Sequence, residues 1–183
     1  MIIGLTGKMG VGKSSAYEIL KEHLKHVTLV KFAAPLYDIQ EMIYRRISAV
    51  YTRPEDFVKD RKLLQWLGTD WGRNTISETL WVDLWKAEVA RAVAYGEHVI
   101  CDDVRFDNES DIVRSVGGIV VEITSNNAIK RISTANGLAG HASEAGLSRD
   151  KIDFSIANNG TLAEFEKNLL PVFDRPTGKS NKT

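Results

Sequence analysis

Cysteine is nearly absent from this chain, and so is any excess of one charge. Cys101 is the single cysteine among 183 residues, which excludes an internal disulfide framework. Its apolar and acidic neighbours predict a buried strand thiol rather than a nucleophile. Lys and Arg total 24, and so do Asp and Glu. This balance argues against a broad surface for a nucleic-acid polymer and leaves only a local basic cleft open.

Long apolar runs are also missing. No stretch reaches the roughly 20 residues that span a bilayer. The N-terminus lacks the features of a signal peptide, because Gly4 and Lys8 interrupt it. We therefore expect a cytoplasmic protein with no membrane partner. The 43% hydrophobic content suffices for one buried domain over residues 1–173. The polar tail, 174–183, is expected to be disordered.

Short apolar segments alternate with helical patterns along the chain. The five segments are 2–6, 27–32, 98–102, 118–123 and 154–157. This alternation predicts an α/β fold with a parallel sheet covered on both faces. Residues 33–97 form an insertion that we expect to carry two or three helices and to bind a second substrate, the acceptor of a phosphoryl group. A small, glycine-rich stretch within 131–150 predicts a short lid that excludes water when it closes.

A glycine-rich loop separates the first apolar segment from a helical pattern over 14–26. It fits G-x-x-x-x-G-K-[ST], the phosphate-binding loop. The loop enters a helix N-terminus, where unpaired backbone N–H groups and the helix dipole favour anions. Lys13 is expected to reach the β- and γ-phosphates, and the Ser14 hydroxyl to ligate Mg²⁺. The predicted ATP-binding residues here are Gly7, Lys8, Met9, Gly10, Val11, Gly12, Lys13, Ser14 and Ser15. The alternative is a glycine-rich turn without a ligand.

Two carboxylates, Asp102 and Asp103, end the third apolar segment. Carboxylates at the carboxyl end of a strand beside a phosphate-binding loop are placed to hold Mg²⁺, usually through water. Strand alternation directs the two to opposite sides, so only one can face the metal. We assign Asp103 to Mg²⁺ and keep Asp102 as the alternative, with the other carboxylate capping the next helix. Arg105 is placed to hold a phosphate, or else forms a surface ion pair.

The insertion combines residue types that suit a nucleotide. Arg61 and Arg73 offer phosphate contacts, Gln65 an amide for a base edge, and Trp66 or Trp71 a ring for stacking. The alternative is an amphipathic helix whose tryptophans fill the core. Trp81 and Trp85, at helical spacing, are assigned to the core.

Later in the chain, Arg131 precedes the glycine-rich stretch that contains His141, Ser143 and Glu144. A lid arginine at 131 would contact the transferred phosphoryl group, whereas a helix-terminal arginine is often solvated. His141 has no metal-ligand pattern around it. We therefore expect a hydrogen-bonding or helix-start role for it.

Several segments together make the chain resemble the phage-type deoxynucleoside monophosphate kinases of the P-loop nucleoside monophosphate kinase superfamily. The resemblance covers most of the chain. It rests on the glycine-rich loop, Phe32-Ala33-Ala34-Pro35-Leu36, the Leu-Leu-Gln-x-Leu-Gly-Thr-Asp core of 61–73, Trp81, Asp103-Val104-Arg105-Phe106 with Asn108-Glu109, His141-x-Ser143-Glu144, and Asn158-Asn159-Gly160-Thr161-Leu162.

The resemblance implies transfer of the ATP γ-phosphoryl group to a deoxynucleoside 5′-monophosphate, with Mg²⁺ as cofactor. Catalysis would then depend on Lys13, Arg105, Arg131 and Asp103. The implied acceptor pocket consists of Phe32, Pro35, Leu36, Arg61, Gln65, Trp66, Asp70, Arg73, Arg105, Glu109, His141 and Glu144. Arg131, Asn159, Gly160 and Thr161 would complete the ATP site.

These observations predict a P-loop three-layer sandwich whose five parallel strands follow the order 2-3-1-4-5. Two alternatives to the deoxynucleotide kinase stay open. One is a kinase for another phosphorylated small molecule, such as phosphomevalonate or dephospho-coenzyme A, which would share Lys13 and Arg105. The other is a nucleotide-binding module without kinase activity. The sequence leaves the accepted bases and a homodimer open.

Overall fold

Five apolar runs form one parallel sheet in the computed structural model, which describes residues 1–52, 60–126 and 146–173. The strands are β1 (Ile2–Thr6), β2 (Val27–Leu29), β3 (His98–Cys101), β4 (Ile119–Thr124) and β5 (Phe154–Ala157). They pair in the order β2-β3-β1-β4-β5, and each neighbouring pair is parallel. The predicted order is confirmed. All the strands therefore end at the same edge of the sheet.

Helical segments connect the strands. They are α1 (Lys13–His23), α2 (Ala34–Ile47), α3 (Arg61–Gln65), α4 (Leu80–Ala94), α5 (Asp107–Ser115) and α6 (Leu162–Leu169). A π-helix, Trp66–Ile76, continues directly from α3, and short 3₁₀ turns cover Arg149–Lys151 and Leu170–Val172. Within the described ranges, no helix is both long enough and apolar enough to cross a membrane.

The second strand is shorter than its apolar pattern suggests. Val30 N still donates to Ile100 O at 2.9 Å, but the backbone then leaves the sheet. The N–H groups of Phe32 and Ala33 donate instead to the carboxylate of Asp103. The chain therefore turns after Val30, and α2 begins at Ala34.

Alternation along the strands builds two apolar cores, one on each face of the sheet. Ile3, Leu5 and Ile100 belong to the core that contains α1 and α6. Ile2, Val99 and Cys101 belong to the core that contains α4 and α5. Three layers result, as predicted. Burial raises the pKa of the Cys101 thiol well above its ordinary value, which fits a buried strand thiol.

The π-helix packs closely against α4 because glycine lies at the contact. Trp81 Nε1 donates to Gly68 O at 2.8 Å. A Cβ on Gly72 would lie 2.3 Å from the Trp81 ring. The wider π geometry is seen where Ser77 N donates to Gly72 O, five residues back, at 2.9 Å. Because Arg73 follows Gly72 directly, this contact determines where the Arg73 backbone lies.

Gly72→Ala should lower the free energy of unfolding by about 1–3 kcal/mol, because its Cβ would overlap the buried Trp81 ring. The loss is expected despite the higher helix propensity of alanine. Urea denaturation measures it.

Gly68→Ala is the matched control. Its Cβ would meet only the flexible end of Leu36, at 3.2 Å. We expect that variant to stay within about 1 kcal/mol of the wild type. Equal losses in the two variants would contradict the proposed packing constraint.

Candidate functional site

The glycine-rich loop joins the carboxyl end of β1 to the start of α1. Gly7, Gly10 and Gly12 have φ values of 131°, 80° and 108°, which side-chain-bearing residues rarely adopt. A Cβ on Gly7 would also lie 2.2 Å from the carbonyl oxygen of Ile123. The loop therefore lies tightly against the end of β4. Gly7 is required by both backbone angle and space, whereas Gly10 is required by backbone angle alone.

The ammonium group of Lys13 contacts the backbone of this loop. Its Nζ donates to Gly7 O at 2.6 Å and to Lys8 O at 3.0 Å. Ser14 and Ser15, in the first turn of α1, are exposed. The ammonium group and the helix N-terminus thus offer positive potential at the same place, which suits a phosphate chain.

The Asp103 carboxylate accepts hydrogen bonds from the backbone of the turn before α2. Its Oδ1 accepts from Phe32 N at 3.0 Å and its Oδ2 from Ala33 N at 2.9 Å. The Cys101 thiol also contacts Oδ1, at 3.1 Å. Burial raises the pKa of the Asp103 carboxyl, and these donors oppose the rise. Both oxygens are therefore used in holding the turn before α2, and our assignment of Asp103 to Mg²⁺ needs correction.

Asp102, the alternative, lies on the other side of the chain. Alternation places it with Ile100, on the sheet face that α1 covers. Lys31 Nζ lies 3.1 Å from Asp102 Oδ1 and donates to Oδ2 at 3.2 Å. Oδ1 is buried, and its close partner among the described residues is the Lys31 ammonium, which meets hydrogen-bond geometry only toward Oδ2. Asp102 is thus the carboxylate with spare acceptor capacity beside the α1 face.

A buried carboxylate, Glu109, joins two parts of the predicted acceptor pocket. Its Oε2 accepts from Arg105 N at 2.8 Å and from Phe106 N at 3.2 Å. Its Oε1 accepts from Arg73 Nη2 at 2.6 Å, and the Arg73 guanidinium lies 4.1 Å from the centre of the Phe106 ring. Burial raises the pKa of Glu109 to about 7, against the backbone N–H of Arg105 and the charge of Arg73. Glu109 therefore anchors the arginines rather than simply lining the pocket.

The remaining acceptor residues in the described ranges separate into buried and accessible groups. Phe32 is 3% exposed and stacks on Trp85 with ring centres 4.7 Å apart, so it belongs to the core and does not line a pocket.

Trp66 is 51% exposed, whereas Trp81 is buried as expected. Trp71 is half-buried, with its ring 6.4 Å from that of Trp81. The other members differ in exposure: Pro35, Leu36 and Gln65 are half-buried, and Arg61 and Asp70 are exposed.

The loop after β5 contains a residue that sequence reasoning missed. Asn158 Nδ2 donates to the Val11 carbonyl of the glycine-rich loop at 2.9 Å. Its neighbours have local roles: Asn159 Oδ1 accepts from Asn126 N at 2.8 Å, and Thr161 caps the N-terminus of α6. Gly160, also assigned to the ATP site, is exposed beside them. The sequence signal for Asn158 is its position at the start of the Asn158–Leu162 motif, one of the segments that carry the family resemblance.

Some predicted residues lie outside the described part of the chain. Arg131, His141 and Glu144 fall there, as do most of the expected lid and the tail. Their assignments stay predictions.

Comparisons with known proteins agree with the motif evidence. The deoxynucleotide monophosphate kinase family profile matches residues 3–169. A putative deoxynucleotide monophosphate kinase of Acanthamoeba polyphaga mimivirus is 28% identical over 195 residues, covering 95% of this chain and 96% of that protein. The deoxynucleotide monophosphate kinase of Enterobacteria phage T4 is 31% identical over 133 residues, covering 70% of this chain. This chain spans only 52% of the T4 protein's length.

Solved structures share the fold. TT1252 from Thermus thermophilus has a TM-score of 0.54 and 17% identity, with 94% of this chain and 95% of that chain covered. The tunicamycin resistance protein of Deinococcus radiodurans has a TM-score of 0.52 and 15% identity, with 93% and 94% covered. At this level of identity the likeness extends to the architecture alone.

Glu109→Gln should lower the free energy of unfolding by about 3–5 kcal/mol at pH 8.5, above the pKa of Glu109, because the Arg73 charge would stay buried without its partner. Urea denaturation of this variant, Arg73→Met and the double variant measures the coupling between the two side chains.

Asp111→Asn, two residues further along α5, is the matched control. It breaks only the exposed pair between Asp111 and Lys151, so we expect a loss below about 1 kcal/mol. A coupling energy for Arg73 and Glu109 close to zero would contradict the anchoring role of Glu109.

Proposed function

Because this chain belongs to the deoxynucleotide monophosphate kinase family, we propose that the carboxyl edge of its sheet is a two-substrate phosphoryl-transfer site. ATP donates its γ-phosphoryl group, and a deoxynucleoside 5′-monophosphate accepts it to become the diphosphate. One observation carries the assignment of the site. The phosphate-binding loop follows β1, and the two arginines anchored by Glu109 meet at the turn after β3, the strand next to β1.

The donor half is the loop with Lys13. Phosphoryl transfer needs charge neutralisation and alignment more than covalent chemistry. Lys13 contributes a positive charge, and the N–H groups at the start of α1 contribute hydrogen bonds. Their preorganisation lowers the cost of the charge that builds up on the transferred group.

Asp102 and Ser14 are the residues that fit Mg²⁺. Magnesium prefers oxygen ligands and retains several waters. Asp102 Oδ1 is a buried carboxylate oxygen that makes no hydrogen bond of good geometry among the described residues and has the Lys31 ammonium 3.1 Å away. Ser14 is exposed at the loop's end of α1. Ser14 and Asp102 would hold Mg²⁺ here, and its positive charge would offset the negative charge of the phosphates.

The acceptor half is the surface between the π-helix and the turn after β3. Arg105 is exposed there and would hold the acceptor phosphate, with Arg73 behind it. The exposed ring of Trp66 offers a stacking surface, and Gln65 an amide for a base edge. These two residues favour a nucleotide over an isoprenoid acceptor. Because an acceptor phosphate oxygen is already ionised at neutral pH, no general base is assigned.

The function is tested by incubating the protein with Mg–ATP and each common deoxynucleoside or ribonucleoside monophosphate, and separating the products. Diphosphate should form from at least one deoxynucleoside monophosphate. Lys13→Ala should lower kcat by at least about 100-fold with an unchanged circular dichroism spectrum, because a charge that stabilises the transition state is lost.

Lys21→Ala, on the exposed surface of the same helix, is the control and should retain wild-type turnover. Absence of product with every acceptor would refute the proposed function. Near-normal turnover of Lys13→Ala would refute the donor site.

Asp102→Asn and Asp103→Asn separate the metal role from the structural one. Asp102→Asn should lower kcat about 100-fold at limiting Mg²⁺, while its free energy of unfolding stays within about 1 kcal/mol of the wild type. Asp103→Asn should instead lose about 1–3 kcal/mol of unfolding free energy, since its amide NH₂ would face backbone donors.

Magnesium titrations of turnover and urea denaturation measure the two effects. A reversed pattern, with the Mg²⁺ dependence altered only by Asp103→Asn, would restore the original assignment.

A further inference from the structure

Asn158 links the loop after β5 to the phosphate-binding loop. Its backbone N–H donates to Thr124 O at 2.7 Å, which holds it beside the end of β4. Its side-chain Nδ2 donates to Val11 O at 2.9 Å, a contact between residues 147 positions apart. A half-buried amide on the sheet scaffold thus reaches the backbone of the phosphate-binding loop.

The loop is shaped to receive this amide. A Cβ on Gly12 would lie 2.3 Å from Asn158 Nδ2. Gly12 therefore provides space for the amide as well as its φ of 108°. On the other side, the Val11 side chain is 3% exposed and belongs to the core beneath the loop. Two contacts therefore restrain the peptide group between Val11 and Gly12. The Val11 side chain is packed in the core, and the Val11 carbonyl accepts the Asn158 hydrogen bond.

This restraint determines the direction of a neighbouring N–H. In a trans peptide the C=O and N–H bonds point in opposite directions. Since the Val11 carbonyl points to Asn158, the Gly12 N–H points away from it. Gly12 is the N-cap of α1, so its N–H has no partner within the helix. Anion recognition by such a loop requires its N–H groups to converge on one side.

We propose that Asn158 is a positioning residue for the triphosphate, which keeps the Gly12 N–H directed at a phosphate oxygen without touching ATP itself. The inference rests on the proposed function, because it requires the loop to bind ATP. It adds a residue from the far end of the chain to the donor site. It also means that the phosphate-binding geometry depends on the loop after β5.

Asn158→Leu removes the donor while keeping a side chain of similar size. The Kd for Mg–ATP should rise about 10-fold, the effect expected for the loss of one hydrogen bond. The Kd for Mg–tripolyphosphate, which has no base or sugar, should rise by the same factor. The Kd for the deoxynucleoside monophosphate measured without ATP should not change. Isothermal titration calorimetry gives all three values.

Asn168→Leu, on the exposed surface of α6, is the matched control and should bind every ligand like the wild type. Asn158→Asp should raise the Kd for Mg–tripolyphosphate more than Asn158→Leu does, because its carboxylate would face the Val11 carbonyl oxygen. Thermal unfolding confirms that each variant is folded, and Asn158→Ala replaces the leucine variant if that one is not.

The outcomes separate the competing explanations. Weakened Mg–ATP binding with unchanged tripolyphosphate binding would mean that Asn158 contacts the base or sugar, and would overturn the inference. Unchanged binding of both ligands, or an equal loss for the acceptor as well, would also overturn it. So would a wild type that binds Mg–ATP but not tripolyphosphate. A wild type that neither binds ATP nor forms diphosphate would instead refute the proposed function.

Discussion

The ion pair between Glu109 and Arg73 is the contact on which the proposed acceptor half of the site depends. It joins the π-helix of the insertion to the turn after β3, and the same carboxylate binds the backbone N–H of Arg105. A buried carboxylate is costly unless donors surround it, and here three donors do so. Because burial of the Glu109 carboxylate is favourable only with these donors in place, the contact selects one arrangement of the π-helix relative to the turn after β3. Displacing Arg73 would leave the Glu109 carboxylate with two backbone donors and no opposite charge, so this ion pair holds the insertion in register with the sheet.

Parallel strand pairing brings the remaining groups to the same place. The phosphate-binding loop, Asp102 and Asn158 all follow carboxyl ends of strands, at β1, β3 and β5. They are distant in sequence, yet parallel pairing places the carboxyl ends of their strands at the same edge of the sheet. The division between the two faces then distinguishes adjacent residues. Asp102 faces the α1 side and has spare acceptor capacity, whereas Asp103 faces the other core and holds the turn before α2.

The sequence was sufficient for the strands, the phosphate-binding loop and the family, because these depend on local patterns of apolar residues, glycine and motifs. The sheet order was predicted from the resemblance to P-loop kinases, since local patterns do not determine which strands pair. It was insufficient wherever a long-range contact decides the role of a side chain. Strand alternation predicted that Asp102 and Asp103 face opposite sides of the sheet. The choice of Asp102 as the Mg²⁺ candidate required the hydrogen bonds from Phe32 and Ala33 to Asp103. Phe32 itself was assigned to the pocket from a motif, and only its stacking on Trp85 shows that it is buried. No periodicity could indicate that Glu109 binds Arg73, because the partners are 36 residues apart.

The contacts of Lys13 have a consequence for the speed and cost of donor binding. Its ammonium group rests on the carbonyls of Gly7 and Lys8, so the loop itself supplies hydrogen bonds to this charge. At the proposed donor site, a triphosphate would have to redirect this one flexible side chain and would meet a loop whose backbone is already folded. Little conformational entropy is then lost on association, since the glycines have been fixed during folding. The free energy of phosphate binding is thereby left for alignment of the reacting groups.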